Sequence, residues 1–493
     1  MNINFPKIAL SEGIPHIGKI GVRHVLVVTQ PGGKPGGVFQ AQARDAALAR
    51  AAKQNSAGAA TLPTISSNVE GRLLVWVEWD AAASTFEQQT ALRKSLDILY
   101  KESPGELAII IQAEGPRRGH CASQAIYVAL VNGHYRLGKT SYQKAPGKAA
   151  LAKLQVWGVP KGYSAARPVA LAEGNLLSRT LTLRPPNDLT PKRYRGDIAK
   201  LAKDNGWDIR QYDFKTLRKM GAGAFCAVAQ GSPQQDAAIV RLSYRPRKAG
   251  KRTLALIGKG ICMDTGGHGL KSAKGMYGMH EDMNGSAVVL GILKAASDLK
   301  LPIAIDAWLA IAQNHIGPEA YQPGDVVTAL DRTTIEVVHT DAEGRMVLAD
   351  TLTMAARESP AAILDFATLT GAMAYALDSR MSGVFASTKA LAAAATTCGD
   401  ASGERVVLFP LEKDYDDALE SKVADIKQCL IAGEGDAIYA ARFLARFAKE
   451  VPWAHMDLSS YRHDGGLGAV SGDVSGFGVA WGLAMVEAQI AGT

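Results

Sequence analysis

The string Asp341-Ala342-Glu343-Gly344-Arg345, with Lys259, Asp264, Lys271 and Asp282 upstream, collects four acidic and three basic side chains in a glycine-rich setting among apolar runs. Carboxylates are hard oxygen donors suited to magnesium or manganese, and they also hold zinc. Two such ions about 3.5–4 Å apart clamp the attacking and leaving oxygens of a hydrolysis together. Buried charges in this number need metals or partners to be tolerated, so the pattern reads as a two-metal hydrolase site. A lysine such as Lys259 joins a ligand set only as a neutral amine, a form favoured by burial beside dications. The sequence has no His-Glu-x-x-His string, which argues against a zinc site centred on histidines.

The elements that must position these groups can be sketched from the apolar pattern. A buried strand at 254–257 is expected to end in Gly258-Lys259-Gly260, followed by Asp264-Thr265-Gly266-Gly267, where glycines let the backbone turn sharply and approach a ligand. Lys271 follows Asp264 by seven positions, and Asp282 comes eleven later, before a helix starting near Ser286. Beyond a strand at 335–338, an extended segment would aim Asp341 and Glu343 the same way, because residues two apart share a face. Further strands are expected at 303–311, 362–366 and 453–458, with helices at 286–299, 345–357 and 391–397. Continuous apolar strands signal a sheet buried on both faces.

The first third of the chain shows strand-like runs at 24–28, 73–77, 107–111 and 126–131, and helical stretches at 41–53 and 85–100. A helix at 169–183 should stop before Pro185-Pro186. At 493 residues the chain exceeds what one core usually serves. The expectation is therefore an α/β protein with a small N-terminal α/β domain (1–165), a connecting helix (166–184) and a larger C-terminal catalytic domain (185–493), whose mostly parallel sheet is flanked by helices.

Composition narrows the class. The five cysteines, Cys121, Cys226, Cys262, Cys398 and Cys429, are scattered singly and read as reduced thiols of a cytoplasmic protein. No signal-peptide pattern opens the chain, and the apolar run at 476–490 is broken by Glu487, so a buried helix is expected there and no membrane anchor. The net charge of +8 is uneven: residues 1–165 hold 19 Lys and Arg against 10 Asp and Glu, and the rest is close to neutral. That excess makes DNA a candidate partner for the first domain, although no reader motif accompanies it. Gly133-His134-Tyr135-Arg136-Leu137-Gly138-Lys139-Thr140 has phosphate-loop spacing, but Pro146-Gly147 would break the helix that must follow, so nucleotide binding is rejected.

Read together, the strings Gly258-Lys259-Gly260-Ile261-Cys262-Met263-Asp264-Thr265-Gly266-Gly267, Asp282-Met283 and Thr340-Asp341-Ala342-Glu343-Gly344-Arg345 resemble the leucyl aminopeptidase family of metallopeptidases, the M17 type. Pro186-Asn187-Asp188-Leu189-Thr190-Pro191, Ala229-Gln230-Gly231-Ser232, Tyr321-Gln322-Pro323-Gly324-Asp325, Ala367-Thr368-Leu369-Thr370-Gly371-Ala372 and Trp453-Ala454-His455-Met456-Asp457 match in the same order. The resemblance implies Lys259, Asp264, Asp282, Asp341 and Glu343 as ligands of two divalent ions, manganese or zinc first, with magnesium or cobalt as alternatives. It implies Lys271 as the electrophile on the scissile carbonyl and Arg345 as the anchor of a bicarbonate general base. Met279, Thr368, Leu369 and Gly371 would border the pocket for the first side chain of a peptide substrate, leucine or another apolar residue. A metal-bridging water would attack, and a homohexamer is implied. His339, Asn284, Ser286 and His268-Gly269-Leu270 depart from the family pattern without removing a ligand.

Overall fold

The computed structural model describes residues 5–16, 19–31, 64–69, 71–134, 137, 150–250, 252–431 and 434–491. The chain divides into two compact units, residues 174–463 with 474–493, and residues 2–173 with 464–473. The helical stretch expected at 41–53 lies outside the described residues, as does most of the phosphate-loop decoy.

The N-terminal unit is built on β1 (Lys7–Ser11), β2 (His24–Thr29), β3 (Thr64–Val69), β4 (Arg72–Glu78), β5 (Glu106–Ile111) and β6 (Lys153–Trp157), in the order β1-β6-β5-β2-β4-β3. Every pairing is parallel except β3 with β4. The central strands β2 and β5 are apolar on both faces and buried, as a helix-covered parallel sheet requires. Helix α1 (Thr85–Tyr100) opens on a capping box in which Ser84 Oγ accepts the Glu87 N–H and Glu87 Oε2 accepts the Ser84 N–H at 2.9 Å. The run at 126–131, expected as a strand, belongs instead to helix α2 (Arg118–Asn132). Ten residues of α2 between Cys121 and Val131 are buried, so its apolar stripe widens until it looks like a strand. This also removes the strand that the phosphate-loop reading needed.

Residues 464–473 complete this unit. Arg93 Nε donates to Gly468 O at 2.9 Å, Asn132 Nδ2 donates to Ala469 O at 2.8 Å, and Ser471 N donates to Asn132 Oδ1 at 2.8 Å. Helix α3 spans Ala166–Thr182, and the division between the two units falls within it.

The larger unit holds a mixed eight-stranded sheet made of β7 (Asp208–Asp213), β8 (Ala238–Tyr244), β9 (Thr253–Asp264), β10 (Ala304–Asn314), β13 (Ala362–Ala367), β14 (Ser382–Ala386), β15 (Val406–Leu408) and β17 (Trp453–Asp457). In the order β15-β14-β17-β13-β9-β10-β8-β7, the central four strands are mutually parallel. Strands β8, β7 and β14 pair antiparallel towards the margins and β15 pairs parallel with β14, so the sheet is mixed around the parallel centre expected from sequence. The expected strand at 335–338 is the short β12 (Thr334–Glu336), which pairs with β11 (Val326–Thr328) and β16 (Ile426–Lys427) in a separate small sheet.

Strand β9 runs on through Gly258-Lys259-Gly260 to Asp264, so these glycines serve close packing and not a turn. A Cβ on Gly258 would lie 2.5 Å from Ser286 Cα, and one on Gly285 would lie 2.1 Å from Phe366 O. Their absence lets the first turn of α4 (Asn284–Asp298) press onto β9 and β13, which brings Asp282 alongside Lys259. The C-terminal apolar run forms a helix (Val479–Ala491) with Val479, Leu483, Met485 and Val486 fully buried. Among the described residues no helix is long and apolar enough to cross a membrane.

Candidate metal centre

Strand, loop, turn and helix-start positions of the larger unit deliver the charged residues. Lys259 lies inside β9 and Asp264 at its end, Lys271 in the loop that follows, and Asp282 between a short 3-10 turn (Met279–Glu281) and α4. Asp341 lies in a turn, and Glu343 opens helix α5 (Glu343–Arg357) with Arg345 in its first turn. The two carboxylates therefore converge through a turn and a helix start, where a carboxylate also meets the favourable end of the helix dipole. The extended segment expected around them does not form.

Carboxylate oxygens of Asp264, Asp341 and Glu343 all lie within 4.8 Å of one another. Lys259 Nζ is 2.8 Å from Asp282 Oδ2, 2.8 Å from Glu343 Oε1 and 2.9 Å from Thr368 O. Lys271 Nζ is 2.9 Å from Asp264 Oδ2 and 2.6 Å from Asp341 Oδ1. Two ammonium groups thus face four carboxylates, three of which are almost fully buried. Burial, with repulsion from Glu343 and Asp264, raises the Asp282 carboxyl well above its usual range, and burial with Asp264 raises Glu343. Asp341 is raised to about 6 by burial and by Asp264, partly offset by Lys271. Burial pulls both lysines down, but the surrounding carboxylates outweigh it and hold each above the ordinary lysine value. Glu343 Oε2 is buried with no hydrogen-bond partner. Surplus negative charge, clustered oxygens and an orphaned carboxylate oxygen are the chemistry that divalent cations satisfy.

A shell of polar groups fixes this cluster. Asn314 Nδ2 donates to Asp264 Oδ1 at 2.8 Å and to Thr340 O at 3.0 Å, while Tyr321 OH donates to Thr340 O at 2.7 Å. Thr368 Oγ1 donates to Asp282 Oδ1 at 2.7 Å. Asp457 accepts from Leu369 N at 3.0 Å and from Thr370 Oγ1 at 2.7 Å, which shapes the loop carrying Thr368. Gln428 Oε1 accepts from the backbone of Val338 and His339 at 3.1 Å each, and its Nε2 donates to Ala342 O at 3.0 Å. Asn314 and Gln428 carry no signal in the sequence. Tyr321 and Asp457 do, since both belong to matched strings, but the strings assign neither of them a role.

All eleven sequence-derived site residues line one cleft of about 500 Å³: Lys259, Asp264, Lys271, Met279, Asp282, Asp341, Glu343, Arg345, Thr368, Leu369 and Gly371. Gly371 opens a short helix, α6 (Gly371–Leu377), beside the loop at Thr368. Arg345 pairs with neither neighbouring acid. Its guanidinium donates to Gln428 O at 3.2 Å and to Asp436 Oδ1 at 2.9 Å, and its buried Nε has no partner.

The departures have local roles. Asn284 Nδ2 donates to Thr182 Oγ1 at 3.0 Å, and Ser286 Oγ meets Tyr194 OH at 2.8 Å and donates to Met283 O at 2.7 Å. His339 lines the cleft, whereas His455 is buried within β17 against Asp365 and stacked near Trp453.

Comparison with known proteins identifies the family. The model of the cytosol aminopeptidase family, catalytic domain, matches residues 176–481. A probable cytosol aminopeptidase of Solibacter usitatus is 38% identical over 386 residues, 78% of this chain and 78% of that protein. One of Methylorubrum extorquens is 38% identical over 352 residues, 71% of this chain and 70% of that protein. Among solved structures, the bottromycin maturation enzyme BotP in complex with Mn superposes with a TM-score of 0.81 at 28% identity, over 95% of this chain and 100% of that one. With the family model spanning well over half of its length, this chain belongs to the cytosol aminopeptidase family of metallopeptidases.

Proposed function

We propose that this chain is a two-metal aminopeptidase that hydrolyses the N-terminal residue, leucine or another apolar one, from peptides. The observation that carries the reading is the convergence of Asp264, Asp282, Asp341, Glu343 and Lys259 on one cleft with Lys271 and Arg345. These five side chains would hold two divalent cations, manganese or zinc by preference, and a manganese complex of a structural relative supports that choice. When bound, such ions supply Lewis acidity and an acidified water. Lys259 joins the ligand set as a neutral amine only where bound cations outweigh its three carboxylate neighbours.

Lys271 is placed to polarise the scissile carbonyl. Its Nζ meets two carboxylate oxygens, which leaves one of three ammonium hydrogens for a substrate oxygen, and it stabilises the negative charge that develops there. Arg345, with an unpartnered Nε in a buried setting, suits an anion such as the bicarbonate proposed as general base. Met279, Thr368, Leu369 and Gly371 border the wall expected to receive the first side chain of the peptide. The N-terminal domain is assigned to assembly or regulation. A homohexamer, a cytoplasmic location and DNA binding through the basic first third complete the proposal, the last resting on charge alone.

The test is hydrolysis of leucine anilide by protein stripped with a chelator and refilled separately with Mn, Zn, Mg or Co. Metal-restored release of leucine, abolished when the α-amine is acetylated, is the expected result. No turnover with any ion, across a panel of N-terminal residues, would overturn the reading.

A further inference from the structure

His339 and Gly269 meet where the loop carrying Lys271 lies against the turn carrying Asp341. His339 Nδ1 accepts the Asp341 backbone N–H at 3.1 Å. An Asn or Asp side chain makes the same i to i+2 bond in an Asx-turn, so the imidazole stands in for a side-chain carbonyl and holds the turn. Accepting at Nδ1 leaves the proton of the neutral ring on Nε2.

The ring also reaches the loop. A Cβ on residue 269 would lie 2.7 Å from His339 Cε1 and 3.0 Å from Nδ1. Gly266 and Gly267 have φ of +84° and +61°, a region that favours glycine for its backbone alone. Gly269 is not in that region, so space and not conformation requires glycine there. The same contact is bridged by Thr340 Oγ1, which accepts from Gly269 N at 2.7 Å and donates to Gly266 O at 2.7 Å. Two residues beyond Gly269, Lys271 Nζ comes within 2.6 Å of Asp341 Oδ1.

We propose that His339 is a positioning residue and that His339 and Gly269 form a matched pair. The Nδ1 atom sets the turn that aims Asp341, and the ring, seated against a residue without Cβ, sets how deeply the Lys271 loop lies. The inference rests on the two-metal reading above, because it assigns His339 to placing a proposed ligand and the proposed electrophile.

The experiment uses the full chain with G269A, H339N, H339A and the two doubles. It reads Mn²⁺ affinity by calorimetry, Tm of the ion-free protein, and separately kcat and KM on leucine anilide. G269A should weaken Mn²⁺ binding and lower kcat about tenfold, the scale of outer-shell changes, with KM moving less. G269A/H339N should recover most of both, since the shorter side chain lacks the Cε1 atom that lies closest to the new methyl and its Oδ1 still accepts from Asp341 N. G269A/H339A should relieve the collision, seen as recovered Tm, without recovering Mn²⁺ affinity, since alanine offers no acceptor. Wild-type affinity and Tm in G269A, or equal losses in G269A and G269A/H339N, would overturn the pairing. The affinity and Tm cycles need no turnover. A protein that shows the coupling yet hydrolyses no peptide would therefore sink the proposed function and leave the pair standing.

Discussion

The two sides of the cleft use the same residue types to different ends. On one side Lys259 is almost fully buried, and three oxygens surround its Nζ at 2.8 or 2.9 Å, as many as an ammonium has hydrogens. On the other, Lys271 is more exposed, at 16%, and its Nζ meets two carboxylate oxygens, with Asp341 beside it at 28%. The first side is fixed by a long central strand and by glycines that let a helix press onto it. The second rests on a loop and a turn joined through Thr340 and His339. A saturated, buried lysine is suited to hold a site together, and an unsaturated one at the edge is suited to meet a substrate.

The sharpest way to break this comparison is to remove each ammonium in turn. Lys259→Met leaves Asp282 and Glu343 buried without their counter-charge, and should lower the unfolding free energy of the ion-free protein by about 3–5 kcal/mol. Lys271→Met, nearer to water, should cost less than half of that. Denaturant unfolding in the presence of chelator measures both, and equal losses would mean that the two sides do not differ in this way.

Turnover should divide the second side internally. Lys271→Ala should keep its metal content while kcat falls about 10²–10³-fold, the loss expected for one group that stabilises developing charge. Asp341→Ala should lose metal occupancy together with activity. Elemental analysis beside kinetics separates the two outcomes, and normal turnover of a metal-replete Lys271→Ala protein would defeat the electrophile role.

Protonation gives a third contrast. Asp341 has a folded pKa of about 6, above its ordinary 3.8, because of burial and Asp264. The ion-free fold therefore binds this proton more tightly than the unfolded chain does. The resulting stabilisation is complete below about pH 4 and is lost as pH rises through 6, amounting to no more than about 3 kcal/mol. Tm of chelated protein should fall across that window, and Asp341→Asn should flatten the fall. A slope unchanged by the substitution would place the titration on the buried side, at Asp282 or Glu343.

Much of this asymmetry is legible in the sequence. The charged residues and their order along the chain point to the cleft, because motif strings record which groups must meet. The strands through Lys259 and the helices after Asp282 and Glu343 are readable from apolar runs and periodicity. Pairing across long separations stays hidden. Asn314 lies fifty positions from Asp264, and Gln428 ninety from Val338, and neither spacing nor composition marks them. The segment at 126–131 misleads for a different reason, since a helix buried on most of its circumference loses the polar face that distinguishes it from a strand. The glycines of Gly258-Lys259-Gly260 mislead because close packing and turning leave the same mark in a sequence.

The smallest expected effect probes the buried side through one hydroxyl. Thr368 Oγ1 donates to Asp282 Oδ1 at 2.7 Å, and the carbonyl of the same residue accepts from Lys259. Thr368→Val keeps the backbone acceptor and the shape but removes a donor from a buried carboxylate. Loss of a single hydrogen bond to a buried charged group costs about 1–3 kcal/mol, and the lower end applies here because Lys259 still faces Asp282. If Asp282 belongs to the ligand set, the same change should weaken Mn²⁺ binding about tenfold, since a carboxylate freed from its outer partner is no longer aimed. A Thr368→Val protein with lowered stability but unaltered Mn²⁺ affinity would separate Asp282 from the metal and leave it as the counter-charge of Lys259 alone.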